Sequence, residues 1–278
     1  MPKPLSEARR PHPFGRLRRA VGRSPVGRAW RRGTSLELGQ RALGFAALGL
    51  LTLVPLLVIV SSADPERGRG FAQWLADGLG VSGTSRNEVE RLFTTPGQAL
   101  RTTTAFGIAA LTLFGLTFGA AMQTGYEKVW GLGQARWWAR WRHVVWLVAL
   151  TAYVFLSGTT TLRQEVPAGA FAAALSGVLF FWWSQRLLLG GRVAWRALLP
   201  GAVATVIGLL GLRVFSQLVF SPLIASSTVT YGPVGTVLVL QSWLVGAGVV
   251  VFGGALAGRL VHEELTRVAG SLRRGRRG

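Results

Sequence analysis

The chain has 278 residues, half of them hydrophobic and only 15% charged, with a net charge of +20, 37 glycines, 11 tryptophans and no cysteine. Soluble domains carry about a quarter charged residues, so this balance, with a mean hydropathy of +0.38, points to a membrane protein. The missing cysteines exclude a disulfide framework, a thiolate nucleophile and any Cys-ligated metal.

Residues 1–34 read as a basic arm. Eleven prolines and basic residues precede residue 25, among few large apolar side chains, which is the composition of a solvated segment. Phe14, Leu17 and Val21, interleaved with Arg16, Arg19 and Arg23, also fit a short helix lying on anionic headgroups. The first apolar run starts near residue 42, too late for a cleavable signal.

A bilayer core takes about 20 mostly apolar residues in a helix. Six runs qualify: Ala42–Ser62, Ala105–Gln123, His143–Leu162, Gly169–Leu188, Gly201–Phe220 and Gly235–Leu256. They are apolar all round, unlike alternating barrel strands, and helices satisfy their own backbone groups in lipid. The expected fold is therefore all-α and polytopic, with six transmembrane helices in a membrane domain over 35–258, an outer loop over 63–104 and a basic tail over 259–278. Thr34 and Glu37 have capping-box spacing ahead of the first span. Pro167, Pro200 and Pro233 suit first helical turns, whereas Pro55 falls inside the first span and should free a carbonyl there. In the outer loop, Phe71, Trp74, Leu75 and Leu79 suggest one short helix, and Ser85 with Glu88 caps a second through Phe93.

Orientation follows from Lys and Arg, which concentrate on the cytoplasmic side. With the N-terminus inside, the inner segments hold 24 basic residues against five acidic ones, and the outer segments hold six of each. Both termini are therefore expected in the cytoplasm of a cell with an inner membrane. Tyr126, Trp130, Trp137, Trp138, Trp141 and Trp146, with Trp182, Trp183 and Trp195, should form an aromatic belt at that face. The tail continues as a basic helix in which Val261, Leu265, Val268 and Leu272 line one side. Such a cluster attracts anionic headgroups by about 1 kcal/mol per basic residue. Membrane lipids thus account for most of the charge, and nucleic acid is not required as a partner.

Glycine pairs at spacing four, Gly115 with Gly119 and Gly254 with Gly258, let helices approach closely and fit packing within the bundle. Arg213 is the one formal charge well inside an expected span, at a cost of about 2.5–3.5 kcal/mol at mid-span. Gln217 shares its face, and Gln241 enters the last span from the same side. With Tyr231 at the mouth, these residues make a candidate polar patch for an anionic lipid or solute; the alternative is that Arg213 snorkels outward or bonds freed carbonyls. No Asp or Glu falls within any of the six runs. His12, His143 and His262 show no zinc-type i, i+4 pair, and no P-loop, G-x-S-x-G elbow or paired carboxylates occur. No enzyme activity, metal or cofactor is expected.

Three stretches resemble the YihY/virulence factor BrkB family: Trp195-Arg-Ala-Leu-Leu-Pro-Gly-Ala-Val-Ala, Tyr231-Gly-Pro-Val-Gly-Thr-Val-Leu-Val-Leu with Trp243-Leu after it, and Tyr126-Glu-Lys-Val-Trp with the basic-aromatic segment through Arg142. With the six similarly spaced spans, the resemblance covers about residues 35–265. It implies a six-helix inner-membrane protein. Many relatives close the final helix with Gly-Ala-Glu, where Gly254-Ala255-Leu256 stands here, so no role for that carboxylate is carried over. Some relatives carry a ribonuclease label, and no residues suited to phosphodiester cleavage accompany it here. Three functions are weighed: a transporter or binder of an anionic lipid or solute, a non-transporting scaffold whose basic tails recruit anionic lipids or proteins, and, least favoured by the residues, a membrane-bound ribonuclease.

Overall fold

The computed structural model describes residues 32–33, 36–63, 100–134, 140–160, 167–231 and 233–275. The basic arm through residue 31, Thr34 of the expected cap, the two short helices expected between Phe71 and Phe93, and Trp137 and Trp138 lie outside the described residues. Six helices follow one another: α1 (Leu38–Ala63), α2 (Leu100–Trp130), α3 (Trp141–Thr160), α4 (Pro167–Leu188), α5 (Trp195–Tyr231) and α6 (Pro233–Gly275). Among the described residues there is no strand.

Four stretches are long and apolar enough to cross a membrane, Leu38–Leu57, Ala105–Trp130, Trp195–Val219 and Val237–Val268, and Trp141–Leu156 is a shorter apolar helix. α4 has 22 residues and is about 33 Å long, enough for a hydrocarbon core of about 30 Å. The chain is an all-helical membrane protein. Its lipid-facing surface carries Phe106, Leu113, Val148, Leu156, Phe171 and Leu218, all large, apolar and well exposed; water would not tolerate such a surface over most of a protein. Hydroxyl side chains inside the spans are satisfied locally. Thr112, Thr117, Thr124, Thr151, Thr205 and Ser242 each donate to the carbonyl four residues back, which removes an unbonded hydroxyl from lipid.

The helix ends depart from the expected spans where polar residues can be absorbed by packing. α2 runs on past Gln123 to Trp130, and the expectation of no acid within a span fails, because Glu127 lies inside that extension. α5 starts at Trp195, so Pro200 stands in its second turn and does not open it, while Pro167 and Pro233 do open α4 and α6. Pro55 lies within α1, and just before it the Thr52 hydroxyl donates to Leu48 O at 2.6 Å.

α5 and α6 form the most extensive helix pair, α1 packs on both α2 and α6, and α4 packs on α5. Close approach explains the glycines. A Cβ on Gly258 would lie 2.6 Å from both Cα and N of Gly201, and one on Gly254 would strike Thr205. Gly119 likewise admits the first turn of α3, at 3.3 Å from Cβ of His143 and a ring atom of Trp146. Both glycine pairs therefore serve packing within the bundle.

The main core gathers Phe118, Met122 and Tyr126 of α2, Trp146 of α3, Leu188 of α4, Leu198 of α5 and Phe252 of α6. Edge-on aromatic contacts tie it together: Phe45 to Phe118 at 5.1 Å, Phe118 to Trp146 at 5.5 Å and Tyr126 to Phe252 at 6.0 Å. Two residues expected in the interfacial belt are thus core residues, since Tyr126 is 0% and Trp146 2% exposed. The Trp146 indole finds a partner inside, donating to Ser184 Oγ at 3.0 Å. A second cluster of Leu56, Leu57, Leu111, Leu147 and Val154 fills the other half.

Gly258→Ala should lower the thermal midpoint of the detergent-solubilised protein, by about 1–3 kcal/mol of overpacking. Gly253→Ala, whose Cβ would meet nothing within 4 Å, should leave it level or slightly higher. Equal midpoints in the two variants would show that the α5–α6 crossing tolerates the extra methyl.

Candidate functional site

The polar side chains collect at one end of the bundle, where α2, α4 and α6 finish and α1, α3 and α5 begin. Two of these helices stop in the same way. Gly131 has φ +66°, and Leu132 N–H reaches back to Glu127 O at 2.8 Å. Gly190 has φ +65°, and Gly191 N–H reaches Arg186 O at 3.1 Å. Each is a left-handed C-terminal cap, which glycine adopts without a Cβ penalty. The stops leave short connections facing one another, and three arginines lock them.

Arg192 is the hub. Its Nε donates to Leu189 O at 2.9 Å and its Nη1 to Gly133 O at 2.6 Å, while Nη2 donates to Oε1 of Glu127. One guanidinium thus joins the α4–α5 turn, the α2–α3 connection and a carboxylate on α2. The Glu127 side chain is 4% exposed and that of Arg192 33%, so the acid is buried and the base reaches it from the rim. Gln123, one turn earlier, donates from Nε2 to Glu127 Oε1 at 2.8 Å. Its Oε1 lies 2.7 Å from Nε2 of His143 on α3. Because that amide oxygen can only accept, this geometry assigns the proton to His143 Nε2. The line His143–Gln123–Glu127–Arg192 therefore spans α2, α3 and the α4–α5 turn.

Arg186 closes the turn from the other side. Its Nη1 donates to Gly191 O at 2.7 Å and to Val193 O, and its Cζ stands 5.6 Å over the ring of Trp195. Trp182 adds a bond from Nε1 to Trp195 O at 2.8 Å. Arg142, from the start of α3, lies against Gly190 and 5.8 Å over the Trp141 ring. Between these groups opens a crevice of about 290 Å³, lined by Trp141, Arg142, Trp183, Arg186, Leu187, Gly190, Gly191 and Trp195. Trp141 and Trp195 are 57% and 42% exposed, so unlike Tyr126 and Trp146 they lie on the surface.

A third set of contacts fastens α6. Arg259 donates to Val129 O at 2.6 Å and to Glu263 Oε1 at 2.8 Å, and Arg32 reaches Glu263 Oε2 at 2.6 Å. His262 lies beside Trp130, with ring centroids 6.3 Å apart. Deep between α4, α5 and α6, Gln185 is 0% exposed, and neither its Nε2 nor its Oε1 has a hydrogen-bond partner. Among the described residues, no cluster of three His, Cys, Asp or Glu is arranged to hold a metal ion.

The patch expected around Arg213 is placed differently. Arg213 is half-buried on α5 and Gln217 is exposed, and no hydrogen bond joins either to another described side chain. Gln241 faces α1, where its amide matches Ala46 O and Ala47 N at 3.3 Å each. Tyr231 is the last residue of α5, and its side chain lies outside the described residues. Sequence reasoning missed Glu127, Gln123 and Arg192. Two signals pointed to them: the four-residue spacing of Gln123 and Glu127, and Gly131 as the first stop after an otherwise unbroken helix.

Removing Arg192 takes its guanidinium away from a buried carboxylate, so Arg192→Ala should cost about 3 kcal/mol. Glu127→Gln keeps the acceptor and should cost about 1 kcal/mol. The double variant should be more stable than Arg192→Ala alone. Thermal unfolding of the four proteins gives the coupling directly, and strict additivity would remove the pair from the energetics.

The family model described as "Virulence factor BrkB" matches residues 29–274. No curated protein and no solved structure matches the chain.

Proposed function

The chain belongs to the virulence factor BrkB family, and on that premise we propose that it is a multi-pass carrier of an anionic lipid or solute. In this reading it sits in an inner membrane with both termini in the cytoplasm, as the distribution of its Lys and Arg favours. The observation that carries the reading is the Glu127–Arg192 pair, whose carboxylate is buried within a stretch long enough to cross the membrane. Charges held inside such helices are costly and belong to solute or ion paths. The pair is wired through Gln123 to His143 on a neighbouring helix, so its rearrangement would shift α2, α3 and the α4–α5 turn together. Excess cations around the pair favour an anionic cargo over a cationic one.

A second reading, a scaffold recruiting anionic lipids or proteins through its basic tails, draws on one contact. Arg32, near the end of the basic arm, is paired with Glu263 on α6, which joins the end of the arm to the start of the tail.

Reconstitution into liposomes tests the carrier reading, with headgroup-labelled phosphatidylglycerol and radiolabelled inorganic phosphate as the two probes. At least one should move faster than in protein-free vesicles, and Glu127→Gln should slow it by about tenfold, as expected for losing one charge-assisted contact. Rates equal to protein-free vesicles for both probes would sink the carrier reading. A phenotype lost on deleting residues 1–31 would then favour the scaffold.

A further inference from the structure

We propose that the crevice between the start of α3 and the α4–α5 turn binds the phosphate of an anionic glycerophospholipid, with Arg142 as its principal contact. The proposal deepens the reading above by naming a ligand class and a site for it.

The donors available decide what the crevice can hold. Its backbone offers little, because the N–H groups of Gly190, Gly191 and Arg192 are already bonded to Leu187 O, Arg186 O and Leu189 O. Recognition must therefore come from side chains. Arg186 is fixed by two carbonyls of the turn, so it contributes a positioned positive charge. Arg142 has no hydrogen bond or ion pair to a described residue. It lies beside a glycine that leaves room for it and over an indole face. A guanidinium held by stacking alone keeps its planar fork of donors free, the geometry that grips phosphate through two parallel bonds. Neither a carboxylate nor a histidine lines the crevice, so nothing there competes with an anion or suits a metal.

The surroundings favour a lipid over a free anion. Trp141 and Trp195 are exposed on the rim, as rings at headgroup depth are. From Trp141, the exposed Val144 and Val148 continue along the same face of α3, and from Trp195 the exposed Leu199 and Val203 continue along α5. These two apolar tracks lead from the crevice into the bilayer, where acyl chains of a bound lipid would lie. A volume of about 290 Å³ accommodates a phosphate with a small polar headgroup.

The test uses the full-length protein in mixed micelles and reads binding of fluorescent phosphatidylglycerol, with phosphatidylcholine as the zwitterionic comparison. Wild type should prefer phosphatidylglycerol. Arg142→Ala should weaken that binding about tenfold or more, Arg142→Lys should recover part of it, and Arg140→Ala, one basic residue earlier and outside the crevice, should change it little. The thermal midpoint of Arg142→Ala should stay near wild type, since no hydrogen bond is lost. Displacement of the bound lipid by millimolar inorganic phosphate would keep the phosphate site and assign it a soluble ligand. Undiminished binding in Arg142→Ala, or equal losses in Arg142→Ala and Arg140→Ala, would overturn the proposal. Arg142-dependent binding without transport would sink only the carrier reading, and transport without Arg142-dependent binding would sink only this site.

Discussion

The buried carboxylate of Glu127 and the guanidinium of Arg192 constrain everything at the basic end of the bundle. A charge in a low-dielectric interior must be paired and fully bonded, and Arg192 can meet Glu127 only if the α4–α5 turn lies over the end of α2. That requirement explains why α4 stops at a left-handed glycine, why Arg192 also takes two backbone carbonyls, and why the connection after α2 is drawn under the same side chain. The aromatic core beneath, from Phe45 through Phe118 to Trp146, supplies the apolar support on which this polar layer rests.

One turn thereby serves two environments. Its inner side, through Arg192, neutralises an acid within the bundle. Its outer side, through Arg186, Gly190 and Gly191, forms the wall of a crevice that also holds Arg142. Because residues of one short turn contribute to both, a displacement of that turn would reach the buried pair and the crevice together. Coupling of this kind needs no long pathway, only a short rigid loop with a different partner on each side.

Most of the fold was legible in the sequence because the bilayer imposes a simple rule. Runs of about 20 apolar residues must be helices there, and each of the six runs falls on a helix, although α2, α5 and α6 extend well past their expected ends. What that rule does not register is polarity that packing conceals. The hydropathy of the second run fails at Gln123, yet the helix continues to Trp130 because Gln123 and Glu127 bond to each other and to groups on other elements. Tyr126 and Trp146 were expected at the interface on residue type alone, and tertiary contacts bury both. Arg213 drew attention because it is conspicuous within an apolar run. Arg192, in a stretch of ordinary loop composition, carries the interaction that holds three elements in place. A residue's chemistry is local, but its partner is set by topology, and a single sequence states topology only coarsely.

The length of α6 has a consequence of its own. Its 43 residues make a rod of about 65 Å, whereas a hydrocarbon core is about 30 Å thick. Some 19 residues, Ala257–Gly275, continue beyond the last expected membrane-embedded residue as unbroken helix, projecting about 28 Å. Electrostatic reach at physiological salt is about 8 Å, so the two ends of this stretch, set about 28 Å apart by helical rise, are screened from one another. Arg259, near its start, is engaged with Val129 O and Glu263. Contacts made there therefore leave the charge carried toward the far end of the helix unaffected.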